Sequence, residues 1–172
     1  MEEVKWFDRK FNFNYNQNIF PSIIVRLAGT PARVDEKFKS ISKYIQTERV
    51  DSKWTIKENL GHLTDLETLW QGRLDDILNN EKEMREADLD NRKTWNADHN
   101  NTAIESLLHN FRKIRKQTID IINELNEEQI YKSALHPRLK TPMRIMDLFL
   151  FVADHDDHHL ARITELTRLV SK

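Results

Sequence analysis

The chain has 172 residues and a mass of 20.6 kDa, about one domain at ~150 residues each, and with only three Gly and four Pro it lacks the turn formers of an all-β sandwich. Its 27 basic side chains nearly cancel 28 acidic ones at a pI near 6.7, so no polyanion-binding surface is indicated, and 38% hydrophobic content argues against disorder. The absence of cysteine excludes disulfides, zinc knuckles and thiolate catalysis by the protein itself, so any metal must be held by His, Asp or Glu.

Taken in chain order, Met1-Glu2-Glu3-Val4-Lys5 lacks the basic-then-apolar order of a signal peptide, and the longest apolar run, Leu148 to Ala153, is far short of the ~20 residues of a membrane span. A soluble, cytoplasmic protein is expected, with one domain over 1–172: an arm and short helix over 1–30 and a helical bundle over 31–172. In the arm, Phe11, Phe13 and Tyr15 alternate with asparagines as in an extended segment. Phe20 to Leu27 can form a short helix ended by Gly29, and the arm is expected to pack over the bundle as a lid for one end.

Four segments then carry a 3.6-residue apolar period. The first follows Thr30-Pro31, read as a cap and a first-turn proline, with Val34, Phe38, Ile41 and Ile45 on one stripe. The second opens with the capping box Thr55-Ile56-Lys57-Glu58 and continues through Leu60, Leu63, Leu66, Trp70, Leu74 and Ile77. A third repeats that device at Thr102-Ala103-Ile104-Glu105 and runs to Leu125. The fourth opens at Thr141-Pro142 and runs through Ile145, Leu148, Phe149, Val152, Ile163 and Leu166. Helices of about 16, 24, 23 and 28 residues, each with one apolar stripe, are best satisfied by an all-α four-helix bundle. The connections over 80–100 and 126–140 exceed the ~2 to 8 residues usual between bundle helices, and the first of them is long enough to let the second and third helices lie parallel.

The chemistry concentrates in Asp154-His155-Asp156-Asp157-His158-His159. At roughly 100° per residue, His159 falls in the middle of the fourth apolar stripe, His155 and Asp156 on its two flanks, while His158 points away. Two imidazoles four residues apart on one helical face can both reach a metal. His62, one third of the way along the second helix, is the candidate third ligand, although it sits at the edge of that stripe. Asp156 is either a proton acceptor or partner of the ligands, or a helix-edge carboxylate paired with a base. Arg115, within the third stripe, is either an anion anchor for a substrate or a side chain whose stem lies on apolar surface with its head in water. His99 and His136 fall in connections, where solvated imidazoles are expected. Leu69, Phe151 and Leu160 lie off the stripes, and covering them calls for a homodimer.

Trp54-Thr55-Ile56-Lys57-Glu58-Asn59-Leu60-Gly61-His62-Leu63 and His155-Asp156-Asp157-His158-His159-Leu160-Ala161-Arg162-Ile163 resemble the second-helix and final-helix motifs of the DinB/YfiT-like superfamily of metal-binding four-helix bundles, a likeness that spans about residues 31–170. The resemblance implies an up-down-down-up bundle and metal ligands at His62, His155 and His159. It also implies a divalent ion, Zn or Ni, and a small-molecule substrate turned over by a hydrolase or by a thiol S-transferase of the bacillithiol type. Without cysteine, the nucleophilic sulfur of a transferase has to come from a low-molecular-weight thiol cosubstrate. The contrasting expectation is a stress-response protein that binds a metal or a partner without turnover.

Overall fold

The computed structural model describes residues 4–171. Its four long helices are α1 (Phe20–Lys39), α2 (Ile56–Leu78), α4 (Ile104–Asn123) and α6 (Ile145–Val170), with short helices α3 (Arg92–Asn96) and α5 (Glu127–Ile130) and a two-stranded antiparallel ribbon, β1 (Ser133–Leu135) with β2 (Pro142–Arg144). No helix among the described residues is long and apolar enough to cross a membrane.

Side-chain contacts give the helix directions. Arg26 reaches Asp154 and Lys37 reaches Thr164, so α1 and α6 run parallel. Glu67 meets Arg115 and Gln71 meets Thr118, so α2 and α4 run parallel. Asn59 meets His159 while Trp70 meets Phe151, which makes α2 antiparallel to α6. The order is up-down-down-up, and α1 and α2 each pack against both α4 and α6. Residues 79–103 return along the bundle between the two parallel helices, with α3 on the way.

Several helix starts differ from those read in the sequence. The Thr55–Glu58 capping box is present, Thr55 Oγ1 accepting from Glu58 N–H and Glu58 Oε2 accepting from Thr55 N–H. Thr102 instead turns its hydroxyl to the Asp98 carbonyl, leaving α4 to start after Ala103 with no side-chain cap. Thr141-Pro142 leads into β2 rather than a helix. The start of α6 is set by Asp147, which accepts from the Arg144 backbone N–H and pairs with its guanidinium.

The largest correction is at α1. This helix begins at Phe20 and continues through Gly29 and Pro31, so the short helix and the first bundle helix are one element. An internal proline leaves the carbonyl four residues earlier without its helical donor. Here that carbonyl, Leu27 O, accepts from Arg115 Nη1 at 3.4 Å, which removes much of the objection to a proline at this point.

Two apolar clusters fill the interior. One gathers Phe20, Ile23, Leu27, Trp70, Leu74 and Phe149, the other Val34, Ile56, Leu60, Phe111, Leu160 and Ile163. A buried polar layer holds the four helices together: Arg115 from α4 reaches Glu67 of α2 (2.7 Å) and Asp156 of α6 (2.5 and 3.0 Å), and Thr30 of α1 donates to Asp156 (2.9 Å). Arg115 is 1% exposed and both carboxylates are fully buried. It is therefore neither a snorkelling side chain nor an anchor open to substrate. Burial works against its charge, but Asp156 and Glu67 outweigh that and raise its pKa. Asp156 is correspondingly an interior ion-pair partner rather than a helix-edge carboxylate.

Phe151 and Leu160 are buried within the chain. Leu69 is half-buried against the same core, so covering the three needs no second copy, which withdraws that argument for a homodimer. The arm lies against α6: Trp6 packs on Phe151 with ring centroids 4.9 Å apart, and Arg144 Nη2 donates to the Phe13 and Tyr15 carbonyls.

Candidate metal centre

His62 arrives from the second turn of α2, and His155 and His159 arrive from successive turns of α6. Because α2 and α6 are antiparallel neighbours, the edge position of His62 faces the seam between them. The three imidazoles converge: ring centroids are 4.5 Å apart for His155 and His159, 4.8 Å for His62 and His159, and 5.3 Å for His62 and His155. One nitrogen from each lies within 4.8 Å of the others, and all three residues are buried. They form the only such potential ligand group among the described residues.

Their neighbours set the direction of each lone pair. Asn59 Nδ2 donates to the Thr55 carbonyl at 2.8 Å, which turns Oδ1 toward His159 Nδ1 at 2.9 Å. The His159 proton therefore sits on Nδ1 and the Nε2 lone pair faces the cluster. Thr94 donates to Asp65 Oδ2 at 2.9 Å, so its oxygen accepts from His62 Nδ1–H, also at 2.9 Å, leaving His62 Nε2 bare. Asp65 is also held by His99 Nε2 at 2.9 Å. Burial opposes the Asp65 charge, but the hydrogen bonds from His99 and Thr94 prevail and hold its carboxyl below the usual range. Gly61 makes this possible, since a Cβ there would overlap the His99 ring.

This donor set suits a divalent cation. Burial pushes His62 down to about 3 and moves His155 and His159 well below the ordinary imidazole value, with neighbouring histidines adding to the effect. All three are neutral at pH 7, the form that binds metal. His155 Nε2 lies 3.2 Å from His159 Nε2, while His155 Nδ1 is buried without a partner. With His159 protonated at Nδ1, a His155 proton on Nε2 leaves Nδ1 without a donor, and one on Nδ1 sets two Nε2 lone pairs against each other. A cation shared by the facing lone pairs removes that repulsion.

The cluster forms part of the wall of a cavity of about 360 Å³. Trp54 covers His62 (4.4 Å between centroids), and Trp6 and Trp70 meet the edges of His155 (5.0 and 5.7 Å). His158, read as pointing away, is half-buried on this same wall, 5.2 Å from the His159 ring. It is outside the three-nitrogen cluster. His99 and His136, read as solvated, are 8% and 2% exposed and take part in the interior. Sequence periodicity had no means of finding Thr94 or His99, because the connection that brings them over α2 carries no apolar pattern, and without them nothing marked Asp65 on α2 as their partner. Asn59, one turn before His62 on α2, was the available signal.

A buried three-histidine cluster between antiparallel helices of an up-down-down-up bundle defines a class of metal-site helical bundles. The chain belongs to the DinB superfamily, whose family profile matches residues 26–163. Among solved structures it is similar to YfiT from Bacillus subtilis, described as a probable metal-dependent hydrolase with an unusual four-helix bundle topology. The TM-score is 0.77 at 22% identity, over 95% of this chain and 94% of that one. It also resembles an uncharacterized protein from Clostridium difficile 630 (TM-score 0.66, 14% identity, 94% and 99% covered) and a protein from Streptococcus pneumoniae (0.64, 12%, 94% and 94%). No curated protein matches the chain.

Proposed function

We propose that this protein is a metal-dependent enzyme that activates a small nucleophile, water or a low-molecular-weight thiol, against an electrophilic small molecule. The observation that carries the reading is the convergence of three buried, neutral imidazoles on the wall of a cavity large enough for such a substrate. His62, His155 and His159 would hold the ion, Zn or Ni by the chemistry of three neutral nitrogen donors. When bound there, a divalent ion supplies Lewis acidity, polarising a carbonyl and lowering the pKa of water or of a thiol.

The chain's own groups do the rest. Asn59 and Thr94 fix the tautomers of His159 and His62, and the indoles of Trp6, Trp54 and Trp70 limit water around the cluster. His158 stands on the cavity wall with its Nδ1 3.5 Å from Arg9 Nη2, placed to exchange a proton with a reacting group. The YfiT description supports hydrolysis as the first reaction to assay. A cavity beside the cluster favours turnover over simple metal storage.

The test is activity of the metal-loaded protein on activated esters and amides, with and without added small thiols, beside His155→Ala. Metal-dependent product formation lost in the variant is expected. A wild type that binds metal at these histidines but turns over neither kind of substrate would return the protein to the non-catalytic class.

A further inference from the structure

The same cavity has a second polar end, away from the histidine cluster, where Arg73, His136 and Arg138 line the wall. Its groups are mismatched as they stand. His136 Nδ1 accepts two backbone N–H groups, from Arg138 (3.2 Å) and Leu139 (3.1 Å), so the ring proton must lie on Nε2. Yet Nε2 is 3.0 Å from Arg73 Nη1, which is also a donor. The opposite tautomer would instead set a ring N–H against two backbone N–H groups. Two donors therefore face one another across a hydrogen-bond distance with no acceptor between them.

The charges are equally unmatched. Arg73 is 2% exposed, and burial together with the Arg138 charge pushes its pKa down to about 10. Its Nε is used by the Arg85 carbonyl. The carboxylate that acts on it, Asp76, is engaged by Arg85 through Nε, Nη2 and the backbone N–H. Arg138 lies over the Phe7 ring, and its Nη2 is buried with no hydrogen-bond partner. Among the described residues neither arginine makes an ion pair. Glu86 and Asp88 line the cavity too, but both are exposed.

We infer that Arg73, His136 and Arg138 form an oxyanion subsite that holds a carboxylate of the substrate. An oxyanion accepting from Arg73 Nη1, His136 Nε2–H and Arg138 Nη2 answers all three mismatches at once. Phe151 stands between the two ends of the cavity, touching His136 (5.3 Å between centroids) and Trp70 (6.1 Å), and Trp70 in turn touches His155 (5.7 Å). The substrate is accordingly a small organic acid whose apolar body lies along Trp70 and Phe151 while its electrophilic group reaches the histidine cluster. This assignment deepens the enzyme reading and rests on it for the word substrate, but the subsite itself needs no metal.

The experiment uses the full chain stripped of metal and dialysed, with phenylacetate as probe and phenylacetamide as its neutral counterpart, followed by NMR of the imidazole N–H groups. Phenylacetate should bind roughly 10- to 100-fold tighter than the amide, the range of a charge-assisted hydrogen bond, and should shift the His136 Nε2–H resonance. Arg138→Gln should remove most of that preference, while His159→Ala should keep it. Equal binding of acid and amide, no binding of either, or an acid preference untouched by Arg138→Gln would overturn the subsite. If Arg138→Gln does not fold, an unperturbed His136 N–H in the wild type on saturation overturns it instead. Absence of metal-dependent activity in the wild type, with the acid preference intact, would count against the enzyme reading alone.

Discussion

Acidifying the metal-free protein from pH 7 to pH 5 should remove a large share of its stability. Burial first, against the pull of Asp65 at His62 and with the help of Arg73 and Arg138 at His136, holds the two at about 3 in the folded chain, against about 6.5 when unfolded. Their folded values are depressed, so between about pH 3 and 6.5 the unfolded chain binds more protons. Stability is therefore complete above 6.5 and is lost as the pH falls from there toward 3. Between pH 7 and 5 each such histidine costs about 2 kcal/mol by linkage, so the pair costs about 4 kcal/mol out of a typical 5–15. His155 and His159 are shifted in the same direction and add to it. Urea denaturation at the two pH values measures the loss, and His136→Gln should reduce it by about 2 kcal/mol. A metal-free protein equally stable at both pH values, or a variant with undiminished dependence, would show that these imidazoles are not held neutral by burial.

Arg115→Met should cost about 3–5 kcal/mol in chemical denaturation, because it strands Glu67 and Asp156 as unpaired buried carboxylates; a cost below about 1 kcal/mol would mean water reaches that layer. Thr94→Val keeps the shape but removes the acceptor for His62 Nδ1–H, and metal affinity measured by chelator competition should fall roughly 10- to 100-fold. An unchanged affinity would show that Thr94 does not set the tautomer. Gly61→Ala should displace the His99 ring and cost about 1–3 kcal/mol from overpacking, a result that thermal denaturation at pH 7.5 would contradict if the melting curve did not move.

What was legible in the sequence followed the periodicity of the helices. The Thr55–Glu58 box appears as read because the tertiary partners of those side chains leave its bonds intact: Thr55 Oγ1 donates to Asn100 while accepting from Glu58 N–H, and Arg49 and Asn100 take Glu58 Oε1 while Oε2 serves the cap. The same pattern at Thr102 misled, since that hydroxyl lies against the Asp98 carbonyl and α4 begins only after Ala103. Pro31 looked like a helix start because the donor that makes an internal proline acceptable, Arg115, lies 84 positions away in sequence and only packing brings it there. The wheel placed His155 and His159 on one face and left His62 at an edge. An edge becomes an interior only when the neighbouring helix is known. Asp65, Thr94, His99 and the Arg73–His136–Arg138 group were beyond reach for the same reason: each depends on how a polar connection returns over α2.

Whether His62, His155 and His159 hold one divalent ion is tested most directly by metal analysis of the wild type and of His159→Ala, each equilibrated with Zn or Ni and passed through a desalting column. About one ion per chain retained by the wild type and little by the variant is the predicted result. Equal retention by both proteins, or none by the wild type, would contradict it.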